Sequence, residues 1–171
     1  MRLKFRSPLR HPLFPDWKVT PVRMAEGRCS VISGSFWELM GAAASGIIPT
    51  RAVLVLLYPA SPELKDTERE ALWQTYQVPI LACLLDGDGR LVGYECEAQD
   101  GLHVDTTAPA ESLVGEDSIL GYRLPLDQAV VERTPCDCGR PGVRLRFLLK
   151  KKAPIRAGAE LVLVKPRIMA G

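Results

Sequence analysis

The residues best equipped for chemistry in this chain lie between Cys96 and Cys138. Three of its five cysteines and one of its two histidines fall there. They form two short groups: Cys96-x6-His103, and, after a long excursion, Cys136-x-Cys138. Three thiolates and a neutral imidazole make the four ligands of a closed tetrahedral zinc site. Gly101 lies just before His103 and Gly139 just after Cys138, so each group can turn back on itself and aim backbone N–H groups at sulfur. The segment Cys136-Asp137-Cys138-Gly139-Arg140 is polar and lies between Pro135 and Pro141. That is a poor setting for a cysteine that merely fills a core. Glu95 and Glu97 flank Cys96 in what reads as a strand, where neighbours alternate faces. A Cys136–Cys138 disulfide is disfavoured, because so short a loop strains the bridge. Two alternatives stay open: the cysteines are ordinary buried hydrophobes, or the metal is iron.

Little else in the chain suggests chemistry. His11 sits beside Arg10 in a Pro-rich stretch with no Ser or Cys paired to it, and a surface role is expected. Cys29 and Cys83 lie in apolar runs and read as core residues. Ser33-Gly34-Ser35 opens a helix and has the composition of a phosphate-binding start, but also of an ordinary cap.

These groups need a scaffold, and 171 residues suffice for a single domain with a real core. The hydrophobic fraction of 47% and charged fraction of 25% are those of a globular protein, and no apolar run reaches membrane-spanning length. Pro8, Pro12 and Pro15 stand where a signal peptide would need an apolar run. The expected location is therefore the cytoplasm, where clustered thiols bind metal rather than pair. The net charge of +2 is unevenly spread. Seven Lys/Arg against Asp16 and Glu26 give residues 1–28 a charge of +5, and eight against Glu160 give residues 141–171 +7, leaving −10 for 29–140. Either the basic ends fold onto the acidic middle, or they make an anion-binding surface centred on Arg144, Arg146 and Lys150-Lys151-Lys152. No aromatics are interleaved with that patch, so nucleic acid is not expected.

The pattern predicts three stretches. Residues 1–28 read as an irregular N-terminal segment, with one edge strand near Trp17–Arg23 and Phe5, Phe14 and Trp17 as anchors. Residues 29–86 read as an α/β part. After a short apolar piece at Cys29–Ile32, Ser35 and Glu38 form a capping box for a helix ending near Ser45-Gly46. Ala52–Tyr58 and Val78–Leu85 are continuous apolar runs that suit doubly buried strands. A helix starting at Ser61-Pro62-Glu63 and running to about Tyr76 joins them, which makes a βαβ unit with parallel strands. Residues 87–171 read as mainly antiparallel β, with strands at Leu91–Glu97, Leu102–Asp105, Ala110–Val114, Ile119–Leu124, Ala129–Arg133, Val143–Lys150 and Glu160–Pro166. The expected fold class is α/β: a small mixed sheet with a βαβ unit, followed by an antiparallel β region around a Cys3His zinc site.

Residues 50–148 resemble the phenylacetate–CoA ligase branch of the adenylate-forming enzymes. The resemblance rests on Val53–Tyr58, Ser61-Pro62-Glu63-Leu64, Val78–Leu85, Glu95-Cys96, Gly101-Leu102-His103, Glu111, Gly121-Tyr122-Arg123 and Cys136-Asp137-Cys138-Gly139-Arg140. It implies zinc on Cys96, His103, Cys136 and Cys138, and a nucleotide or acyl ligand near Tyr122, Arg123 and Asp127. The departures bear on function. The family's phosphate loop has no counterpart before residue 50. Leu84-Leu85-Asp86 stands where the adenine-site Tyr-Gly-x-Thr/Ser-Glu motif would be. Asp127 is displaced by one residue behind Pro125, and the lid with its catalytic lysine would have to follow residue 150. Leucine cannot replace a glutamate that organises Mg2+, an ion that takes oxygen ligands.

The resulting expectation is a zinc-binding, non-catalytic relative with a binding or scaffold role. As a pared-down form of a larger fold, it should expose apolar surface to a second copy or another protein. The alternative is an accessory subunit or an acyl- or nucleotide-binding enzyme of the acyl-CoA ligase type.

Overall fold

The computed structural model describes residues 9–58, 60–86, 89–104 and 129–147. Among them, eight strands form one sheet with two α-helices against it. The strands are β1 (Val19–Pro21), β2 (Arg28–Gly34), β3 (Ile48–Leu57), β4 (Ile80–Leu85), β5 (Leu91–Tyr94), β6 (Leu102–Val104), β7 (Ala129–Glu132) and β8 (Arg144–Phe147). Their order across the sheet is β1-β2-β3-β4-β5-β6-β8-β7. The pairs from β1 to β4 are parallel and those from β4 onward antiparallel. The helices α1 (Phe36–Ala44) and α2 (Asp66–Tyr76) follow β2 and β3. The parallel half is thus richer than the one expected βαβ unit, since β2-α1-β3 is a second. The expected strands at 110–114, 119–124 and 160–166 lie outside the described residues, as does Lys150-Lys151-Lys152.

Strand β3 is buried at every position from Ala52 to Leu57, and β4 throughout. Both therefore need cover on two faces. On one face, Val53, Val55, Leu57, Ile80, Ala82 and Leu84 pack under Leu39 and Ala42 of α1 and Leu72 and Tyr76 of α2. The Tyr76 hydroxyl donates to the Leu39 carbonyl at 2.5 Å and pins the helices together. On the other face, Leu54, Leu56, Leu81, Cys83 and Leu85 meet Phe14, Trp17 and Tyr94. Each such side chain contributes roughly 1.5–3 kcal/mol by burial.

The start of α1 follows the sequence. The Ser35 hydroxyl accepts from the Glu38 N–H at 3.4 Å, and the Glu38 carboxylate accepts from the Ser35 N–H at 2.9 Å. That carboxylate, paired with Arg23, stands where a phosphate would. The start of α2 does not follow it. Ser61 pairs with Tyr58 in an isolated bridge, and the helix begins at Asp66, with Lys65 as its cap. The Glu68 carboxylate, which takes the Lys65 N–H at 3.1 Å, decides the position.

The N-terminal segment contains β1 at the sheet edge, with Phe14 and Trp17 as anchors stacked 4.0 Å apart. His11 is not a surface residue. It is fully buried, with its ring against Phe14, Trp17 and Tyr94. Its Nε2 lies 3.1 Å from the Glu95 carbonyl, and its Nδ1 accepts the Leu13 N–H at 3.3 Å. A carbonyl only accepts, so Nε2 carries the proton and the ring is neutral. Burial lowers its pKa from 6.5 to about 4. The unfolded chain therefore takes up a proton below about pH 6.5 that the folded chain refuses until about pH 4. Stability from this group is complete above the upper value and is lost as pH falls toward the lower one. Wild type should lose on the order of 3 kcal/mol more than His11→Gln over that interval. Urea midpoints from pH 7 to 4.5 measure the difference, and parallel pH dependences would refute it.

Candidate metal centre

Strands β5, β6, β8 and β7 carry a row of paired residues across the sheet: Tyr94 opposite His103, His103 opposite Arg144, and Arg144 opposite Glu132. Cross-strand partners share a face. The row continues through Cys83, opposite Tyr94, on the face away from the helices. His103 therefore projects toward the side covered by the N-terminal segment, and its ring stacks on Tyr94 at 5.7 Å. Two turns bring the cysteines to it.

The first turn leaves β5. The structure ends that strand at Tyr94, so Glu95-Cys96-Glu97 is not a strand as expected. Glu95 makes the exit. Its N–H donates to the Ala82 carbonyl at 2.9 Å, continuing the ladder. A regular antiparallel pair would return the Ala82 N–H to the Glu95 carbonyl. Here the Glu95 carboxylate takes that N–H at 2.7 Å, and the carbonyl is released to His11. The other carboxylate oxygen pairs with Arg69 at 2.7 Å, and Arg69 also donates to the Ile80 carbonyl. Glu95 is thus buried, at the exit of β5 and not inside the strand expected there. From there Cys96–Gln99 closes a turn in which the Gln99 N–H reaches the Cys96 carbonyl at 3.1 Å. The second turn is built alike, with the Gly139 N–H on the Cys136 carbonyl at 2.8 Å. Gln99 and Gly139 both take positive φ, 53° and 75°. The backbone amides of Ala98 and Arg140 act to lower the thiol pKa of Cys96 and of Cys138.

The donor atoms of Cys96, His103, Cys136 and Cys138 all lie within 4.8 Å of one another. Cys96 Sγ is 3.6 Å from Cys136 Sγ, and Cys138 Sγ is 3.5 Å from His103 Nε2. A zinc tetrahedron with bonds of about 2.3 Å to sulfur and 2.0–2.1 Å to nitrogen has edges of roughly 3.5–3.8 Å. The donors therefore suit a tetrahedral ion in chemistry, and the two separations of 3.6 Å and 3.5 Å match its edges. Three of them are buried and Cys138 is half-buried. All five cysteines are free thiols. Burial, chiefly, pushes the Cys96 thiol up to about 12, so a metal would have to displace a firmly held proton there. At Cys138 burial acts the same way, but the Arg140 N–H and neighbouring donors outweigh it and bring the thiol down. Burial, helped by Arg144 and Arg140, lowers His103, which favours the neutral imidazole that ligates.

Two arginines border the centre. Arg140 donates to Glu97 at 2.7 Å, linking the second turn to the first and holding the Glu97 carboxyl below its usual range. Arg144, only 2% exposed, contacts Asp100, Glu132 and Thr134. Arg146 shares Asp100 and Glu132 with it. Both belonged to the anion-binding patch suggested by charge, and both are committed to carboxylates of the acidic middle. Arg144, Glu95 and His11 are the residues sequence reasoning missed at this centre. For Arg144 a signal existed: Arg-Leu-Arg-Phe in a strand puts two cations on one face, which calls for acids opposite.

The remaining candidates separate. Cys83 is fully buried in the core, and its thiol is pushed far up by burial. Cys29 packs partly against the helix-side core. Tyr122, Arg123, Asp127 and Glu111 lie outside the described residues. No helix among the described residues is long and apolar enough to cross a membrane. In comparisons with known proteins, no family model and no curated protein matches this chain.

Proposed function

We propose that the chain holds one Zn2+ on Cys96, His103, Cys136 and Cys138 and uses it as a closed, structural centre in a protein with a binding or scaffold role in the cytoplasm. The observation that carries this is the convergence of three sulfurs, from two turns about 40 residues apart, on the imidazole nitrogen that β6 presents, all within 4.8 Å of one another. Zinc with four protein ligands has no place for a substrate water, so the centre supplies cross-linking rather than hydrolysis. It would fasten the 136–139 turn to β6 and to the turn that follows β5, as a long-loop cross-link does.

The quoted motifs support a relationship to the phenylacetate–CoA ligase branch. Protein association is supported by the outer side of α1. Trp37, Gly41 and Ala44 are exposed there, and Trp73 of α2 is half exposed. A helix apolar on both sides ordinarily has cover on both.

Native mass spectrometry on protein purified without a metal-affinity step tests both parts. Wild type should carry one zinc per chain and travel as a dimer or larger assembly, and Cys138→Ser should lose the metal. A folded wild type without metal would overturn the zinc reading. A monomer that co-purifies with no partner would overturn the association.

A further inference from the structure

The zinc reading leaves open what brings two separate turns into register. The geometry points to Arg144 as the positioning residue of the centre: it bolts the Asp100 turn, which links Cys96 to His103, to Thr134 just past the end of β7, which leads into Cys136 and Cys138. One terminal nitrogen donates to the Asp100 carbonyl at 2.7 Å and to its carboxylate at 2.5 Å. The other donates to the Glu132 carboxylate at 3.2 Å, the Thr134 carbonyl at 3.4 Å and the Thr134 hydroxyl at 3.3 Å. A planar fork of fixed donors can span two backbones in this way, and a lysine ammonium cannot. The same residue pairs with His103 across β6 and β8, so the bolt lies beside a ligand. Its Nε is buried with no hydrogen-bond partner. The side chain is placed for its two terminal nitrogens, at the expense of the third.

None of these bonds needs a metal. The donors therefore converge before the ion arrives, and zinc enters a formed site instead of gathering loose loops. Arg146 provides the comparison. It binds the same two carboxylates, at 2.5 Å and 3.2 Å, but is half exposed and touches neither the Asp100 carbonyl nor Thr134.

The proposal rests on the zinc reading for its affinity arm and on the fold alone for its exchange arm. Zinc dissociation constants from chelator competition should be weakened about 10–100-fold in Arg144→Lys, the range for lost outer-shell support, and by less than about threefold in Arg146→Gln. The Co2+ spectrum of Arg144→Lys should still report three sulfurs and one nitrogen, because no ligand is removed. In the metal-free wild type, amides 97–101 and 136–139 should be protected from exchange, and Arg144→Lys should lose that protection. If metal-free Arg144→Lys does not fold, zinc loss from the loaded variant is read instead, and should be at least about tenfold faster than in wild type. Unchanged affinity or release rate in Arg144→Lys, or unprotected turns in metal-free wild type, would overturn the proposal. If wild type takes up no zinc, the zinc reading falls by itself, and the exchange comparison still decides the role of Arg144.

Discussion

Glu95→Ala should destabilise the protein by about 3–5 kcal/mol, the cost of breaking a buried ion pair from one side. The carboxylate is almost fully buried and serves two partners at 2.7 Å, the Arg69 guanidinium and the Ala82 N–H. Its removal leaves Arg69, among the described residues, with the Ile80 carbonyl at 2.7 Å, and leaves the Ala82 N–H without its present acceptor. An orphaned buried donor costs far more than the net value of the bond it lost. The effect should spread further, because this carboxylate frees the Glu95 carbonyl for His11. The orphaned Ala82 N–H could regain an acceptor only by taking that carbonyl from His11, which would draw the chain back into the ladder. That would move Cys96 and release the N-terminal segment from the sheet. Urea denaturation measures the loss, and protease sensitivity near residues 9–17 measures the release. Glu95→Gln keeps the acceptor and gives up the charge, so it should fall between the two. A loss below about 1 kcal/mol for Glu95→Ala would show that the pair is not holding this end of β5.

The second large effect is expected at Gly101, two residues before His103. It has φ of +81°, and a Cβ there would meet the Leu145 carbonyl oxygen at 2.7 Å. Backbone cannot yield as a side-chain tip can, so β6 and β8 would have to part beside Arg144. Gly101→Val adds the left-handed penalty of about 1–2 kcal/mol to that overlap, for a total of roughly 3 kcal/mol or more. Gly139 separates the two causes. Its φ is +75°, but a Cβ there would meet nothing within 4 Å. Gly139→Ala should therefore show the conformational penalty alone, about 1 kcal/mol. Thermal or urea unfolding of the two variants in parallel checks the contrast. Equal losses would mean that close packing of β6 against β8 contributes nothing.

Much of the chain could be read in advance because the signals are local. The Ser35–Glu38 capping box is a four-residue pattern, and it starts α1 where the pattern says. Continuous apolar runs mark β3 and β4, since a strand covered on both faces has no polar side to show. The four candidate ligands were legible from residue type and spacing, because a tetrahedral site needs soft donors on turns and little else nearby carries them. The start of α2 was misplaced because Ser-Pro-Glu and the Lys65–Glu68 pairing compete, and only the second closes its hydrogen bond.

The residues that hold those donors in place emerge only from contacts between distant segments. Glu95 read as part of a strand, His11 looked exposed by its Pro-rich setting, and Arg144 by its share in a basic cluster. Each is buried because of a partner far along the chain: Glu95 by Ala82 and Arg69, His11 by Glu95 itself, and Arg144 by Asp100 and Glu132. Period, composition and turn chemistry suffice for two helices, two doubly buried strands and a set of soft donors that could hold a metal. The register that sets Tyr94, His103, Arg144 and Glu132 in one row across four strands follows from pairing between distant segments. A shift of one residue would turn every member of that row to the opposite face. Local sequence carries no term for that choice, and packing of the whole sheet makes it.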